Sequence, residues 1–174
     1  MDLNPGEWAV LGVISQEPTH GFAVAQLLAP EGPIGRVWAV PRPLVYQHIK
    51  KLTELGLVAP RRAEPGQRGP QRTPLAATPA GRRAVKRWLE QPVEHVRDVR
   101  SLLLLKLALL DRAKQESGPL VAAQRKRVEA QVDALNVSKK EAGGFDRVLL
   151  EWRMAGTRST LDFLDAVQQL MPSG

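Results

Sequence analysis

Twelve of the chain's 25 lysines and arginines fall between Arg36 and Arg87, with only two acidic residues among them, so that segment carries a local charge of +10. The whole chain of 174 residues is only +7, and the other 122 residues therefore sum to −3. Cations gathered in this way suit a phosphate-lined partner, and double-stranded DNA is the partner that the residue types fit. Arg42, Pro43, Tyr46, Gln47, Lys50 and Lys51 lie within ten residues of one another. Arg61, Arg62, Arg68 and Arg72 flank or occupy a Gly/Pro-rich stretch shortly after them. An arginine offers two parallel donors to the edge of guanine, and a glutamine pairs with adenine, so Arg42 and Gln47 are the base-reading candidates. Lys50, Lys51 and the four later arginines suit phosphate, which fixes register without reading sequence.

Other chemistries find little support. The chain has no cysteine, which excludes disulfides, thiolate zinc sites and a cysteine nucleophile. His20, His48 and His95 are scattered without ligand-like spacing, so no metal and no cofactor are expected. There is no phosphate-cradling Gly loop followed by Lys-Ser/Thr, no nucleophile elbow and no paired-histidine motif, and an enzyme is not expected. The apolar run at 102–105 is interrupted by Lys106, far short of a membrane span. The opening MDLNPGEWAV has neither a charged leader nor a signal-like apolar stretch, so a cytoplasmic protein is expected.

The basic residues need elements to hold them. Asn4-Pro5-Gly6-Glu7 opens a helix as a capping box with proline in the first turn. Thr19 is placed to cap a second helix from Gly21 to about Ala29, and 30–40 reads as a connector. A third helix runs from about Pro41 to Leu55 and stops at Gly56. At about 100° per residue Val45, Ile49 and Leu52 share one face with His48 beside them. Pro43, Tyr46, Gln47, Lys50 and Glu54 fall opposite, Arg42 lies at the N-terminal end, and Lys51 lies on a flank. Two short strands, 57–63 and 72–77, enclose a turn at 65–70, with Pro74 acceptable only on an edge. Thr78-Pro79 restarts a helix that runs to Pro92. Three helices, a hairpin and a returning helix make a winged helix-turn-helix domain over residues 1–92, in a mainly α chain with a small β-hairpin.

Residues 93–174 read differently: an apolar helix at 96–110, a Gly118-Pro119 break, a long charged helix to about Ala142, and a last helix after Gly143-Gly144. Val121, Val128 and Leu135 recur every seven residues, the mark of a helix–helix seam. The last helix carries Phe145, Leu149, Trp152, Phe163, Val167 and Leu170. A second copy of the chain is the expected occupant of these faces, which makes 93–174 a helical dimerisation domain. Trp152 sits on that apolar stripe with Gly156 four residues on, where a side chain is missing, and this combination can form a slot for a planar apolar ligand.

His20-Gly21-Phe22, Tyr46-x-x-Ile49-x-x-Leu52, Gly56-Leu57-Val58 and Thr78-Pro79-Ala80-Gly81-Arg82 occur in this order and spacing. The set resembles the PadR family of bacterial winged-helix transcriptional regulators over about residues 4–92. More loosely, Arg97-Asp98 before a leucine-rich helix and the long final helix resemble its dimerisation region. The resemblance implies a homodimeric DNA-binding regulator, a repressor on a pseudo-palindromic operator. It also implies an aromatic effector at the dimer interface, for which Trp8 and Trp152 are the candidates. The family usually has tyrosine where this chain has Phe22, and an aromatic where it has Leu75, so no tyrosine-hydroxyl contact carries over at either place. The alternative is a winged-helix adaptor whose basic face binds an acidic protein.

Overall fold

Asn4 starts the fold as its sequence implies. Its Oδ1 accepts from the Glu7 N–H at 2.9 Å, and the Glu7 carboxylate accepts from the Asn4 N–H at 3.0 Å. This reciprocal cap, with proline in the first turn, begins α1, Pro5–Gln16. The computed structural model describes residues 2–61, 74–139 and 142–171, which form two compact units. Residues 1–89 with 104–113 make the first, and 90–103 with 114–174 the second.

In the first unit α1 is followed by α2, Gly21–Leu27, and α3, Arg42–Glu54. The cap of α2 departs from the sequence reading. Its N-cap is His20, without a side-chain cap bond. Thr19 instead pairs through its backbone with Leu75, donating at 2.9 Å and accepting at 2.7 Å. A strand edge competing for the Thr19 backbone groups outweighs a local cap. Helix α3 buries Val45, Ile49 and Leu52, as the periodicity requires. Gly56, at φ +67°, ends it in a left-handed conformation that glycine adopts without steric cost.

The hairpin pairs β1, Val58–Pro60, antiparallel with β2, Leu75–Ala77, setting Val58 opposite Ala77. Both strands are shorter than the 57–63 and 72–77 expected, and the turn at 65–70 lies outside the described residues. Pro74 accepts the Arg61 N–H through its carbonyl at 2.7 Å, a bond that needs no proline N–H. Thr78 then caps α4, Pro79–Glu90, its hydroxyl accepting the Gly81 N–H at 3.1 Å and donating to the Gly56 carbonyl at 2.7 Å. Here α4 crosses the chain closely: a Cβ on Gly81 would stand 2.1 Å from the Leu57 carbonyl oxygen. Leu11, Ile14, Leu28, Ile34, Leu52 and Leu57 form the buried core, each worth about 1.5–3 kcal/mol when removed from water.

The expected continuous helix over 96–110 is broken into three pieces. A 3-10 turn, Val96–Asp98, leads into a π turn, Val99–Leu103, and then into α5, Leu104–Arg112. The chain changes units between Leu103 and Leu104. A π turn resets the direction of the apolar face, so Val99 and Leu103 are buried in one unit while Leu105, Leu107 and Leu109 are buried in the other. Within the first unit α5 packs against α1, and Gln16 donates to the Leu109 carbonyl at 2.9 Å.

The second unit is built on α6, Gly118–Lys139, and α7, Gly144–Leu170, packed along each other. Arg125 pairs with Asp165, and Lys139 with Glu151 at 2.5 Å, so the helices run antiparallel. Val121 and Val128, read from sequence as part of a seam with a second chain, are buried inside this one unit. Gln124 is buried too, and closes both of its amide bonds on Val93, accepting from the N–H at 2.7 Å and donating to the carbonyl at 3.2 Å. Among the described residues no helix is long and apolar enough to cross a membrane, and no cluster of His, Asp or Glu could hold a metal ion.

Candidate nucleic-acid interface

With Val45, Ile49 and Leu52 turned inward, α3 leaves Arg42, Pro43, Tyr46, Gln47 and Lys50 on its exposed side. Its N-cap is Pro41, which makes no side-chain cap bond, so the first N–H groups of the helix are not taken by a capping side chain. Arg42 stands between Pro41 and Pro43, two residues whose φ is fixed by the ring. Its guanidinium lies 5.3 Å from the centre of the Phe22 ring, which comes from the start of α2 and is 43% exposed. Tyr46 packs by the same helix start, where a Cβ on Gly21 would lie 2.8 Å from the Tyr46 ring.

The lysines behave differently from one another. Lys50 is exposed and reaches Glu54 only at 3.9 Å, one turn along the same helix. Lys51 donates to the Glu7 carboxylate at 2.7 Å. Glu7 is only 2% exposed. Burial pushes its carboxyl up, but the Lys51 hydrogen bond, the Asn4 N–H and the charges of Lys51 and His48 outweigh burial and hold it below the usual carboxylate range. His48, with Nδ1 3.8 Å from Glu7, is itself lowered, first by burial and further by Lys51, against the pull of Glu7. Sequence reasoning found the capping role of Glu7 and missed its second role as the ion partner of α3.

Arg61 follows β1 directly and is exposed. Arg62, Arg68 and Arg72 lie outside the described residues. Arg82, at the start of α4, donates to the Ala77 carbonyl at 2.5 Å and so braces the hairpin's return.

The aromatic candidates fall in different units. Trp8 is stacked on Trp88, centroids 4.9 Å apart and planes within 5°, and the Lys106 ammonium lies 4.8 Å from the Trp88 ring. Lys106 is buried, and that burial pushes its amine down to about 8. Trp152 is 74% exposed and lines a cleft of about 890 Å³ in the second unit. Gly156 lines the same cleft, as the spacing implied, together with His95, Val96, Leu135, Arg97 and two arginines that sequence reading did not single out, Arg100 and Arg153. A Cβ on Gly156 would meet only Val96, at 3.6 Å.

Of the apolar residues named for dimerisation, Phe145, Trp152 and Leu170 are exposed, Leu149 and Phe163 are half-buried, and Val167 is buried within the unit. Val148, exposed beside Phe145 and Trp152, extends the same stripe.

No curated protein matches the chain by sequence. Among solved structures it is similar to Bacillus subtilis PadR in complex with operator DNA, at 20% identity and TM-score 0.45, covering 92% of this chain and 96% of that one. It is similar also to the same protein in complex with p-coumaric acid, at 17% identity and TM-score 0.45, covering 98% and 100%. A third Bacillus subtilis PadR structure matches at 18% identity and TM-score 0.42, covering 100% of both chains. The family model of the transcriptional regulator PadR-like family matches residues 10–87. Through that segment, which runs from within α1 to within α4 and includes the hairpin between them, the chain is similar to the PadR-like family of transcriptional regulators.

Proposed function

We propose that the chain is a sequence-specific, duplex-DNA-binding regulator that acts as a homodimeric repressor. The observation that carries this reading is the division of α3. Its apolar face is locked into the core by Val45, Ile49 and Leu52, and its outer face offers Arg42, Tyr46, Gln47 and Lys50, with the hairpin strand β1, which runs into the exposed Arg61, packed against the same helix. Arg42 and Gln47 read base edges in the major groove, with Pro43 and Tyr46 against the groove wall. Lys50 and Arg61, with Arg62, Arg68 and Arg72, meet phosphate. Residues 1–92 serve as the reading domain and 93–174 as the dimerisation domain.

The exposed stripe of α7 supports the dimer. Phe145, Trp152 and Leu170 lie within about 20° of one another around the helix and are left to solvent by the chain's own packing. A second copy covering them gains about 1.5–3 kcal/mol for each side chain fully buried. Two α3 helices then meet half-sites about one helical turn, or a multiple of it, apart. A planar apolar effector enters the cleft at Trp152 and Gly156 and displaces the turn bearing Val96, Arg97 and Arg100, which runs directly into α5.

Binding-site selection from random duplexes tests the reading. The expected result is a pseudo-palindromic consensus bound with an affinity that falls steeply with salt. Recovery of no consensus, with affinity indifferent to salt, would favour the acidic-protein adaptor instead.

A further inference from the structure

We propose that Phe22 is a specificity-setting residue, a ring on α2 that aims the Arg42 guanidinium of α3 at a guanine edge. The inference rests on the DNA reading above and adds a residue that lies outside the reading helix. Three observations meet at this place. Arg42 is the first residue of α3 and is held between two prolines, so its backbone is stiff before any partner arrives. Its guanidinium stands 5.3 Å from the Phe22 centroid, within the range of a cation–π contact. Both side chains are exposed, with Phe22 at 43%, although a phenyl ring gains by burial and nothing polar on it accounts for its position.

The chemistry of the pair fits an aimed donor. A cation–π contact holds the guanidinium through the ring's quadrupole and uses none of its five N–H donors. The charge also survives, in contrast to Lys51, whose ammonium is neutralised by Glu7. Arg42 is therefore restricted in orientation yet keeps its parallel donors for the O6 and N7 acceptors of guanine. Restriction before binding lowers the ordering entropy that a long side chain otherwise loses on binding. Entry of the duplex removes water from the pair and strengthens its attraction, so the ring contributes most in the complex. Phenylalanine suffices for this role, because it requires only the ring face.

The experiment uses the full-length protein and the duplex chosen by selection. Affinities are measured for the wild type, Phe22→Leu, Phe22→Tyr, Arg42→Ala and the Phe22→Leu/Arg42→Ala pair. The selected duplex is compared with a scrambled one and with duplexes in which each guanine is replaced in turn by 7-deazaguanine, which lacks the N7 acceptor. Phe22→Leu should weaken the selected duplex by about threefold to thirtyfold and leave the scrambled duplex nearly unchanged. That loss should vanish in the Arg42→Ala background and on the duplex carrying 7-deazaguanine at one position per half-site. Phe22→Tyr, which keeps the ring, should stay within about twofold of wild type. Equal weakening on selected and scrambled duplexes would overturn the proposal, because Phe22 would then act on the fold or on phosphate alone. So would losses for Phe22→Leu and Arg42→Ala that simply multiply. If the wild type selects no sequence, the DNA reading falls and this proposal with it. If it selects one and no 7-deazaguanine position couples to Arg42, this proposal alone falls.

Discussion

Removal of the Glu7 carboxylate should loosen the anchorage of α3 to α1 by a predictable amount. Glu7 closes the capping box on Asn4 with one oxygen and takes the Lys51 ammonium at 2.7 Å with the other, while itself almost fully buried. In Glu7→Ala the cap loses its reciprocal bond, worth about 0.5–1 kcal/mol. The charge-assisted bond to Lys51 is lost as well; because half of the Lys51 side chain is exposed, solvent screening leaves about 1–1.5 kcal/mol of its nominal value. The sum, about 1.5–2.5 kcal/mol, corresponds to a fall in Tm of roughly 3–10 °C for a chain of this size. Glu7→Gln keeps the shape and the bond from Asn4 and loses only the charge, so about half of that fall is expected. The difference should depend on pH. Because the folded carboxyl titrates below the unfolded one, its contribution is complete above the unfolded value of about 4.3 and drains away as pH falls through the lower folded value. The gap in Tm between wild type and Glu7→Gln should therefore close in strong acid. Urea or thermal unfolding followed by tryptophan fluorescence between about pH 3 and 8 measures it. A Glu7→Ala protein melting within 1 °C of wild type, or a Glu7→Gln gap that persists unchanged in strong acid, would refute the assigned role.

Further outcomes follow from the same geometry. Duplex affinity should fall with salt at a log–log slope of about −4 to −8 for a dimer, by filter binding or anisotropy, and a slope near zero would remove the DNA reading. Gly81→Ala forces a Cβ onto the Leu57 carbonyl and should cost about 2–4 kcal/mol by denaturant titration. Gly156→Ala meets only an ordinary van der Waals neighbour at 3.6 Å and should stabilise α7 by about 0.5–1 kcal/mol through helix propensity, while narrowing the cleft and weakening any planar ligand found to quench Trp152. Phe145→Glu with Trp152→Glu should give a folded monomer by sedimentation, since neither ring is buried within its own unit; an intact dimer would place the interface elsewhere.

The features that could be read from the sequence were those decided within a few residues. The cap at Asn4 and Glu7, the left-handed stop at Gly56, the Thr78-Pro79 restart and the inward face of α3 all depend on neighbours at helical or turn spacing, and all are present. The features that could not be read depend on what arrives from far along the chain. Thr19 gives up a cap because Leu75 brings an unpaired strand edge to its backbone. The helix expected over 96–110 breaks because its two ends belong to different units, a demand that periodicity cannot register. Val121 and Val128 carry a seven-residue repeat with either kind of partner, and here they are buried inside their own unit. The same division holds at the site. Periodicity gave the exposed row of α3, whereas the Phe22 ring over Arg42 and the Glu7 carboxylate under Lys51 come from helices 20 and 44 residues away.

Those two partners act oppositely on charge, and the difference yields a last prediction. Arg42 lies over a neutral ring and keeps its full charge. Lys51 is paired with a buried carboxylate, so the two cancel as seen from a phosphate several ångströms off. Lys50 meets Glu54 only at 3.9 Å with both side chains mostly exposed, a pair that water and salt dissolve readily. Of the two adjacent lysines on α3, Lys50 should therefore supply the counterion-releasing charge. Lys50→Met should reduce the magnitude of the salt slope by about 0.9 for each phosphate that the lysine neutralises, with little change in Tm. Lys51→Met should leave the slope nearly unchanged and instead lower Tm, because it strands the Glu7 carboxylate in a buried position without its cation. Glu7→Gln should do the reverse to the field: it frees the Lys51 ammonium and steepens the slope by up to about 1 per protomer. A larger drop in slope from Lys51→Met than from Lys50→Met would show that the Glu7 pair opens on the duplex and that Lys51 meets phosphate after all.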